Sequence, residues 1–310
     1  MKVVGYILLV LCLLIILAFL YYLVVGSIIF HYSLGKKTLK KRVRKKNLNK
    51  SLEKYQIDLC WWDKIPFEEV KIKSFDNLTL VGHYLNADSN KTVCLVHGYS
   101  ANYKEMQPYA QFFYQKGYNL LCVENRAHGA SEGNVAGMGY LDRKDLLKWL
   151  EFLGAENDIV FFGLSMGASA VCALSGEKLP TCVKGIISDS AFDNAERELI
   201  HVLKRFGIFK KLLLKHLKSY ARRVHNFDLA DADIVKCVKK ASVPILYIHG
   251  KADAYVPFSN SQNLYNNTPK NLRELVLVDS ADHAMSYVTL GVEYERKITN
   301  FFRKFHIFDY

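Results

Sequence analysis

Acidic side chains are missing from the first 50 residues, although this segment contains ten of the chain's 42 Lys and Arg residues. The rest of the chain therefore carries 32 basic side chains against all 30 acidic ones, so the formal net charge of +12 comes from one end of the chain. A nucleic-acid-binding domain concentrates basic charge on its folded body. The nearly neutral body argues against that class, and we expect no nucleic-acid partner.

Paired cysteines are also lacking. The seven cysteines are odd in number, and none belongs to a C-x-x-C pair. This pattern argues against a disulfide framework, so we expect free thiols in a reducing compartment. We expect no metal and no cofactor.

Charged side chains are absent from Val3 to Phe30, a run dense in aliphatic and aromatic residues. At about 1.5 Å per residue, a helix of this length exceeds the roughly 30 Å hydrocarbon core of a bilayer. A cleaved signal peptide is the alternative, but its apolar region spans about 7 to 15 residues and ends at small residues. Neither condition holds here, so residues 1–34 are predicted to be a single transmembrane anchor.

A basic juxtamembrane linker, residues 35–65, follows the anchor. Its basic side chains are Lys36, Lys37, Lys40, Lys41, Arg42, Arg44, Lys45, Lys46 and Lys50, against only Lys2 on the other flank. The positive-inside rule then predicts a single-pass protein whose folded domain is cytoplasmic. Such a cluster is typical of a stop-transfer flank, and binding of anionic lipid headgroups is the alternative interpretation.

Residues 66–310 are predicted to form one α/β domain. A hairpin of 70–75 and 78–85 turns at Asp76-Asn77, and short apolar runs then alternate with helical periodicity. The further strand candidates are 92–96, 119–123, 158–163, 183–188, 244–249 and 273–278, and the helix candidates are 105–116, 141–153, 166–177, 260–266 and 286–305. This alternation predicts a mostly parallel, eight-stranded sheet with helices on both faces.

The alternation stops at about residues 191–241, where a long, strongly basic helical segment intervenes. An insertion between two strands projects from the carboxyl edge of the sheet, where ligands bind in open α/β folds. We interpret it as a helical cap. Its lysines are expected to face water as in an ordinary helical hairpin, and contact with membrane lipid is the alternative.

The pentapeptide Gly163-Leu164-Ser165-Met166-Gly167 matches the G-x-S-x-G pattern of a nucleophile elbow. The pattern alone is weak, but here an apolar strand precedes it and a run of small, helix-compatible residues follows it. A sharp turn between strand and helix lifts a serine hydroxyl above the sheet. Ser165 is therefore the candidate nucleophile.

A serine hydroxyl needs a base, and the base needs an acid that fixes its tautomer. His283 follows the last predicted strand, and Asp253 follows the strand before it, which gives the chain order Ser, Asp, His. Asp189 is the rival acid, and Asp282 is disfavoured because it adjoins the histidine in sequence. The backbone N–H groups of Tyr99 and Met166 are the expected oxyanion donors.

Several of these segments occur together in known proteins. Residues 70–310 resemble the α/β-hydrolase superfamily, and in particular its serine-aminopeptidase-like, BEM46-like membrane-anchored branch. The matching segments are His97-Gly98, 125–131, Gly163 to Gly167, 249–253 and Asp282-His283. Similar proteins more often carry Asp at the position of Glu124 and Gly at that of Ala127, a departure that touches a structural turn.

The sequence thus predicts a membrane-anchored serine hydrolase that cleaves carboxylic ester or thioester bonds through an acyl-enzyme on Ser165. Its expected substrate is a small-molecule or lipid acyl compound, and the sequence leaves protein partners open. A peptidase of the same fold and a catalytically inactive membrane scaffold are the alternatives. A scaffold has no need of all three catalytic residues.

Overall fold

The computed structural model describes residues 2–37, 53, 58, 60–202, 210–225 and 227–308. Most of the predicted basic linker and residues 203–209 of the predicted cap therefore lie outside the described residues. The first described element is helix α1, Lys2–Leu34, which is long and apolar enough to cross a membrane. Its side chains are exposed throughout Val3–Tyr21, whereas from Tyr22 onward one face is partly or fully covered by the rest of the protein.

The short helix α2, Trp61–Lys64, lies inside the predicted linker but packs on the domain. The indole N–H of Trp62 donates a hydrogen bond to the carbonyl of Lys104 at 3.0 Å. Both tryptophans contact the apolar cluster on one face of the sheet. Ordered packing of the domain therefore begins before residue 66.

One eight-stranded sheet forms the centre of the domain, as predicted. Its strands are β1 (Glu68–Lys73), β2 (Thr79–Leu85), β3 (Lys91–Val96), β4 (Asn119–Val123), β5 (Asp158–Leu164), β6 (Val183–Asp189), β7 (Ile245–Gly250) and β8 (Arg273–Val278). They are ordered β1-β2-β4-β3-β5-β6-β7-β8, and every neighbouring pair from β4 to β8 is parallel, whereas β2 runs antiparallel to both of its neighbours.

The register brings the carboxyl ends of the central strands to one edge. Val96 pairs with Gly163, Leu164 with Asp189, and Gly250 with Val278. Parallel strands end on the same side of a sheet, so the loops that follow β3, β5, β6, β7 and β8 meet there. This edge holds every candidate catalytic residue.

Further helices cover both sheet faces and form the predicted cap. They are α3 (Gln107–Gln115), α4 (Asp142–Leu153), α5 (Met166–Leu174), α6 (Ala195–Val202), α7 (Lys210–His225), α8 (Ile234–Val238), α9 (Ser259–Asn267), α10 (Ser286–Leu290) and α11 (Val292–Lys304). Successive strand residues point to opposite faces, so Phe161 lies in one apolar cluster with Trp149, and Phe162 lies in the other with Phe301.

Two predicted helical segments differ from the structure. The single helix expected over 286–305 is two helices, α10 and α11, because Gly291 breaks it at φ 55°. The described part of the expected long cap segment contains α6, α7 and α8, and the short turn Leu229–Asp231 lies between α7 and α8. Periodicity alone did not reveal the breaks at Gly291 and at this turn, since apolar residues recur on both sides of each.

A third apolar cluster joins the anchor helix to the cap, and we call it the anchor socket. Phe30 and Leu34 of α1 are almost completely buried, and they pack in one cluster with Leu217 and Ala221 of α7 and with Val135. A single β-bridge between Gly35 and Val135 extends this contact. The last third of α1 is therefore part of the folded domain.

Candidate active site

Ser165 occupies a sharp turn between β5 and α5, with φ 55° and ψ −116°. The turn requires the flanking glycines. A Cβ on Gly163 would lie 2.3 Å from the carbonyl oxygen of Gly167, and a Cβ on Gly167 would lie 2.1 Å from that of Val96. No side chain fits at such distances, so this pentapeptide reaches its backbone path only with glycine at both positions.

His283 connects Ser165 to Asp253. Its Nε2 lies 2.9 Å from the Ser165 hydroxyl, and its Nδ1 lies 2.7 Å from Oδ2 of Asp253. A carboxylate only accepts hydrogen bonds, so Nδ1 carries the proton and Nε2 accepts from the serine. The structure thus brings together the three side chains that the sequence proposed, in the arrangement that proton transfer from serine to histidine requires.

The carboxyl of Asp253 is buried, yet it is held ionised. Burial would raise its pKa, but hydrogen bonds from His249 and His283 outweigh this and keep the pKa well below its usual range. Its Oδ1 also accepts the backbone N–H groups of Tyr255 and Val256, at 2.9 and 2.7 Å. These donors fix the orientation of Asp253 and favour its charged form.

Sequence reasoning missed His249. Its Nδ1 lies 2.6 Å from the Ser261 hydroxyl, and its Nε2 lies 3.1 Å from Oδ2 of Asp253 and 2.9 Å from the Val256 carbonyl. Both groups near Nε2 are acceptors, so Nε2 carries the proton. The position of His249 at the end of a buried strand was a usable signal, but its partner four residues later was not evident.

The rival acid, Asp189, makes a different set of contacts. It accepts hydrogen bonds from the hydroxyls of Ser190 at 2.9 Å, Tyr294 at 2.8 Å and Ser286 at 3.3 Å. Burial raises the pKa of its carboxyl. Asp282 accepts the backbone N–H of His283 itself, at 2.7 Å. Neither carboxyl has a described hydrogen bond to the His283 ring.

The loop after β3 passes close to Ser165, where the oxyanion donors were expected. A Cβ on Gly98 would lie only 3.3 Å from the Cβ of Ser165. Met166 is the first residue of α5, so its N–H has no acceptor within the helix. The Tyr99 hydroxyl donates to the carbonyl of Ser33 in α1, which joins this loop to the end of the anchor helix.

Two buried histidines shape the same loop. Nδ1 of His97 lies 2.7 Å from the Gly98 carbonyl, and its Nε2 accepts the N–H of Asn125 at 3.1 Å. His128, which the sequence did not single out, accepts the N–H of Ser100 at 3.2 Å. Both rings position backbone on either side of Tyr99.

The two residues that depart from the family pattern, Glu124 and Ala127, lie beside this loop. Ala127 has φ 63°, in the left-handed region that favours glycine, which explains why similar proteins carry Gly there. The carboxyl of Glu124 accepts the N–H of Ala130, and no described hydrogen bond joins Glu124 or Ala127 to Ser165, Asp253 or His283. The departure therefore affects a turn alone, as the sequence indicated.

Glu198 on α6 is a buried acid that sequence reasoning also missed. Burial raises its pKa to about 8, and the nearby negative charges of Asp253 and Asp193 act in the same direction. Its Oε1 has no hydrogen-bond partner among the described residues. No group of three His, Cys, Asp or Glu residues converges as a metal site in the described part of the chain.

Comparisons with known proteins agree with this fold. The profile of the serine aminopeptidase S33 family matches residues 87–232. The chain is 25% identical to the protein YqkD of Bacillus subtilis strain 168 over 224 residues, which cover 71% of this chain and 73% of YqkD. It is 22% identical to YfhR of Escherichia coli strain K12 over 227 residues, 70% of this chain and 73% of YfhR.

Solved structures are also similar to the chain. The esterase Pf2001 of Pyrococcus furiosus superposes with a TM-score of 0.65 at 22% identity, over 79% of this chain and 95% of the esterase. The α/β-hydrolase GrgF of Penicillium sp. sh18 superposes with a TM-score of 0.60 at 16% identity, over 78% of this chain and all of GrgF, a coverage of 100%. These proteins and this chain share one fold.

His128 makes the stability of this loop depend on pH. Burial lowers the pKa of its imidazole from 6.5 to about 4. The folded protein then binds this proton less readily than the unfolded chain, so the free energy of unfolding is highest above pH 6.5 and falls as the pH drops toward 4. The loss from this one group is at most about 3 kcal/mol.

We therefore expect His128→Gln, which keeps an acceptor for Ser100 but cannot be protonated, to lose less stability than wild type over this pH range. Chemical denaturation of the detergent-solubilised chain at each pH measures the difference. His306→Gln, at an exposed histidine, is the control. Parallel pH profiles for wild type and His128→Gln would contradict the assignment.

Proposed function

We propose that this chain, a member of the α/β-hydrolase superfamily, is a membrane-anchored serine hydrolase that cleaves carboxylic ester or thioester bonds. Two consecutive hydrogen bonds, from Ser165 to His283 and from His283 to Asp253, carry the proposal. They connect a hydroxyl, an imidazole with its proton on Nδ1 and an ionised carboxylate. Its substrates are small-molecule or lipid acyl compounds. The BEM46-like branch stays a prediction.

The geometry supports acyl transfer to water in two steps. Oγ of Ser165 attacks the carbonyl carbon while Nε2 of His283 takes the hydroxyl proton, and Asp253 stabilises the resulting imidazolium. The N–H groups of Tyr99 and Met166 bind the oxyanion. When the tetrahedral intermediate collapses, His283 gives its proton to the leaving oxygen or sulfur. Water then attacks the acyl-enzyme by the same sequence and releases the acid.

The similar solved structures favour esters over peptides as substrates. The structurally similar Pf2001 is described as an esterase, whereas the matching family profile is named for serine aminopeptidases. A peptidase is therefore the second candidate. Comparing p-nitrophenyl esters of graded acyl length with aminoacyl p-nitroanilides separates the two, since only a peptidase would favour the anilides.

Anchoring is supported by the exposed part of α1. Val3–Tyr21 is uncovered along its whole length, and 19 helical residues measure about 28 Å, close to the hydrocarbon thickness of a bilayer. The basic residues that follow favour a cytoplasmic catalytic domain. The membrane anchoring and the cytoplasmic orientation are both part of the proposed function.

We expect a fluorophosphonate probe to label the full-length chain on Ser165 and Ser165→Ala to abolish the labelling. The probe reacts only with a serine whose hydroxyl is activated by a base. Ser259→Ala, at an exposed serine at the start of α9, is the control and should label normally. An unlabelled wild-type chain would favour the inactive scaffold.

The two candidate acids can be separated by matched substitutions. Asp253→Asn should lower kcat for a p-nitrophenyl ester about 10⁴-fold, because an amide cannot fix the His283 tautomer. Asp189→Asn makes the same substitution at the end of the neighbouring strand β6, and its kcat should remain close to that of wild type. The reverse ranking of the two variants would assign the acid to Asp189.

A separate experiment tests on which side of the membrane the folded domain lies. In sealed inside-out vesicles, external protease should digest the folded domain, whereas in right-side-out cells or spheroplasts the domain should be protected. The chain should stay with the membrane after an alkaline carbonate wash. Release by the wash would remove the anchoring part of the proposal and leave the hydrolase part intact.

A further inference from the structure

The cap helix α7 has two faces of different chemistry. Leu217 and Ala221 are buried in the anchor socket. The basic stripe, Lys211, Lys215, Lys218 and Arg222, follows the spacing 4, 3, 4, which places all four side chains on one helical face. An amphipathic helix with a basic face and an apolar face is typical of a membrane surface, although here the apolar face is already covered by protein.

The basic stripe lines an open groove of about 570 Å³ between α7 and α1. Arg223, Leu214 and Ser219 complete the α7 side, and Tyr22 contributes the wall from α1. The Tyr22 ring packs on His216 with ring centroids 4.1 Å apart, so this wall is fixed by contact between the two helices.

Positive charge exceeds negative charge in the groove. Lys218 pairs with Glu196 at 2.6 Å, and Arg222 pairs with Asp228. Lys211 and Lys215 form no ion pair with any acidic residue in the described ranges, and both are exposed. Five basic side chains therefore meet two acidic partners, which leaves the groove suited to an anion.

The level of the groove relative to the bilayer indicates that this anion is a lipid headgroup. The uncovered segment of α1 ends at Tyr21, and its length of about 28 Å accounts for the hydrocarbon core. Tyr22 and the groove then lie where the acyl chains end and the headgroups begin, a level at which tyrosines are enriched. Arg223 reaches back toward the same boundary, with its guanidinium 5.9 Å from the ring of Phe19.

We propose that this groove binds the phosphate of an anionic phospholipid headgroup, with Lys211 and Lys215 as the principal ligands. The proposal rests on the proposed membrane anchoring and is independent of the catalytic assignment. A headgroup held there contacts the cap and the anchor helix at once. The site selects lipids by charge and places the cap against the bilayer surface.

The test uses the full-length chain purified in detergent from carbonate-washed membranes. Native mass spectrometry measures the affinity of the chain for phosphatidylglycerol and for phosphatidylcholine. Lys211→Gln with Lys215→Gln should weaken phosphatidylglycerol binding about 30-fold, since each basic side chain near an anionic surface contributes about fivefold in affinity. Lys211→Arg with Lys215→Arg keeps the charge and should bind as wild type does.

The matched control removes two charges elsewhere. Lys239→Gln with Lys240→Gln, at exposed positions at the end of α8, should bind phosphatidylglycerol normally. Equal weakening in this control would overturn the proposal, because it would show a response to net charge alone. Equal wild-type affinity for the two lipids would also overturn it.

Competition with inorganic phosphate tests the other possible occupant of the groove, a soluble phosphate. Displacement of phosphatidylglycerol by free phosphate at comparable concentration would assign the groove to a soluble anion and overturn the lipid assignment. Failure of anchoring is seen earlier and separately, as loss of the chain in the carbonate wash. Thermal unfolding of each variant shows that the substitutions leave the fold intact.

Discussion

The hydrogen bond between Nδ1 of His283 and the carboxylate of Asp253 is the interaction on which the site depends. It decides which ring nitrogen faces Ser165, and it exists only because Asp253 stays ionised although its side chain is buried. Two backbone N–H groups of the loop after β7 and the ring of His249, at the end of β7, stabilise that charge. The parallel register of β5, β7 and β8 then sets the distance at which the serine meets the histidine.

The sequence was most informative where chemistry constrains a few adjacent residues. The elbow around Ser165 could be predicted because its glycines, its strand and its small-residue helix are contiguous, and the sheet could be predicted because apolar runs and helical periodicity alternate. Apart from the approach of Ser165, Asp253 and His283, contacts between distant segments were not visible. His128 beside Ser100 and Glu198 near Asp253 depend on how loops from separate strands converge, which no local pattern records. The break at Gly291 was missed because a glycine inside a periodic run need not end a helix.

The anchor helix illustrates a further limit of sequence reasoning. In a segment that is apolar on every side, lipid-facing and protein-facing positions have the same composition, so the sequence predicted one uniform span from Val3 to Phe30. The structure divides it into an uncovered part and a part that packs in the anchor socket. The cap was predicted to project from the carboxyl edge of the sheet, and the sequence did not reveal that its helix α7 packs against α1. The site, the cap and the anchor are thus mechanically connected.

The anchor socket has a practical consequence for anyone who wants a water-soluble version of this protein. Deleting everything up to the end of α1 would strip Phe30 and Leu34 from their cavity and remove the Ser33 carbonyl that receives the Tyr99 hydroxyl. The resulting fragment would expose an apolar surface beside the loop that follows β3. A boundary placed between Tyr21 and Tyr22 removes only the exposed segment of α1 and retains the residues that pack in the anchor socket, so the whole of α1 need not be removed to take away its uncovered apolar surface.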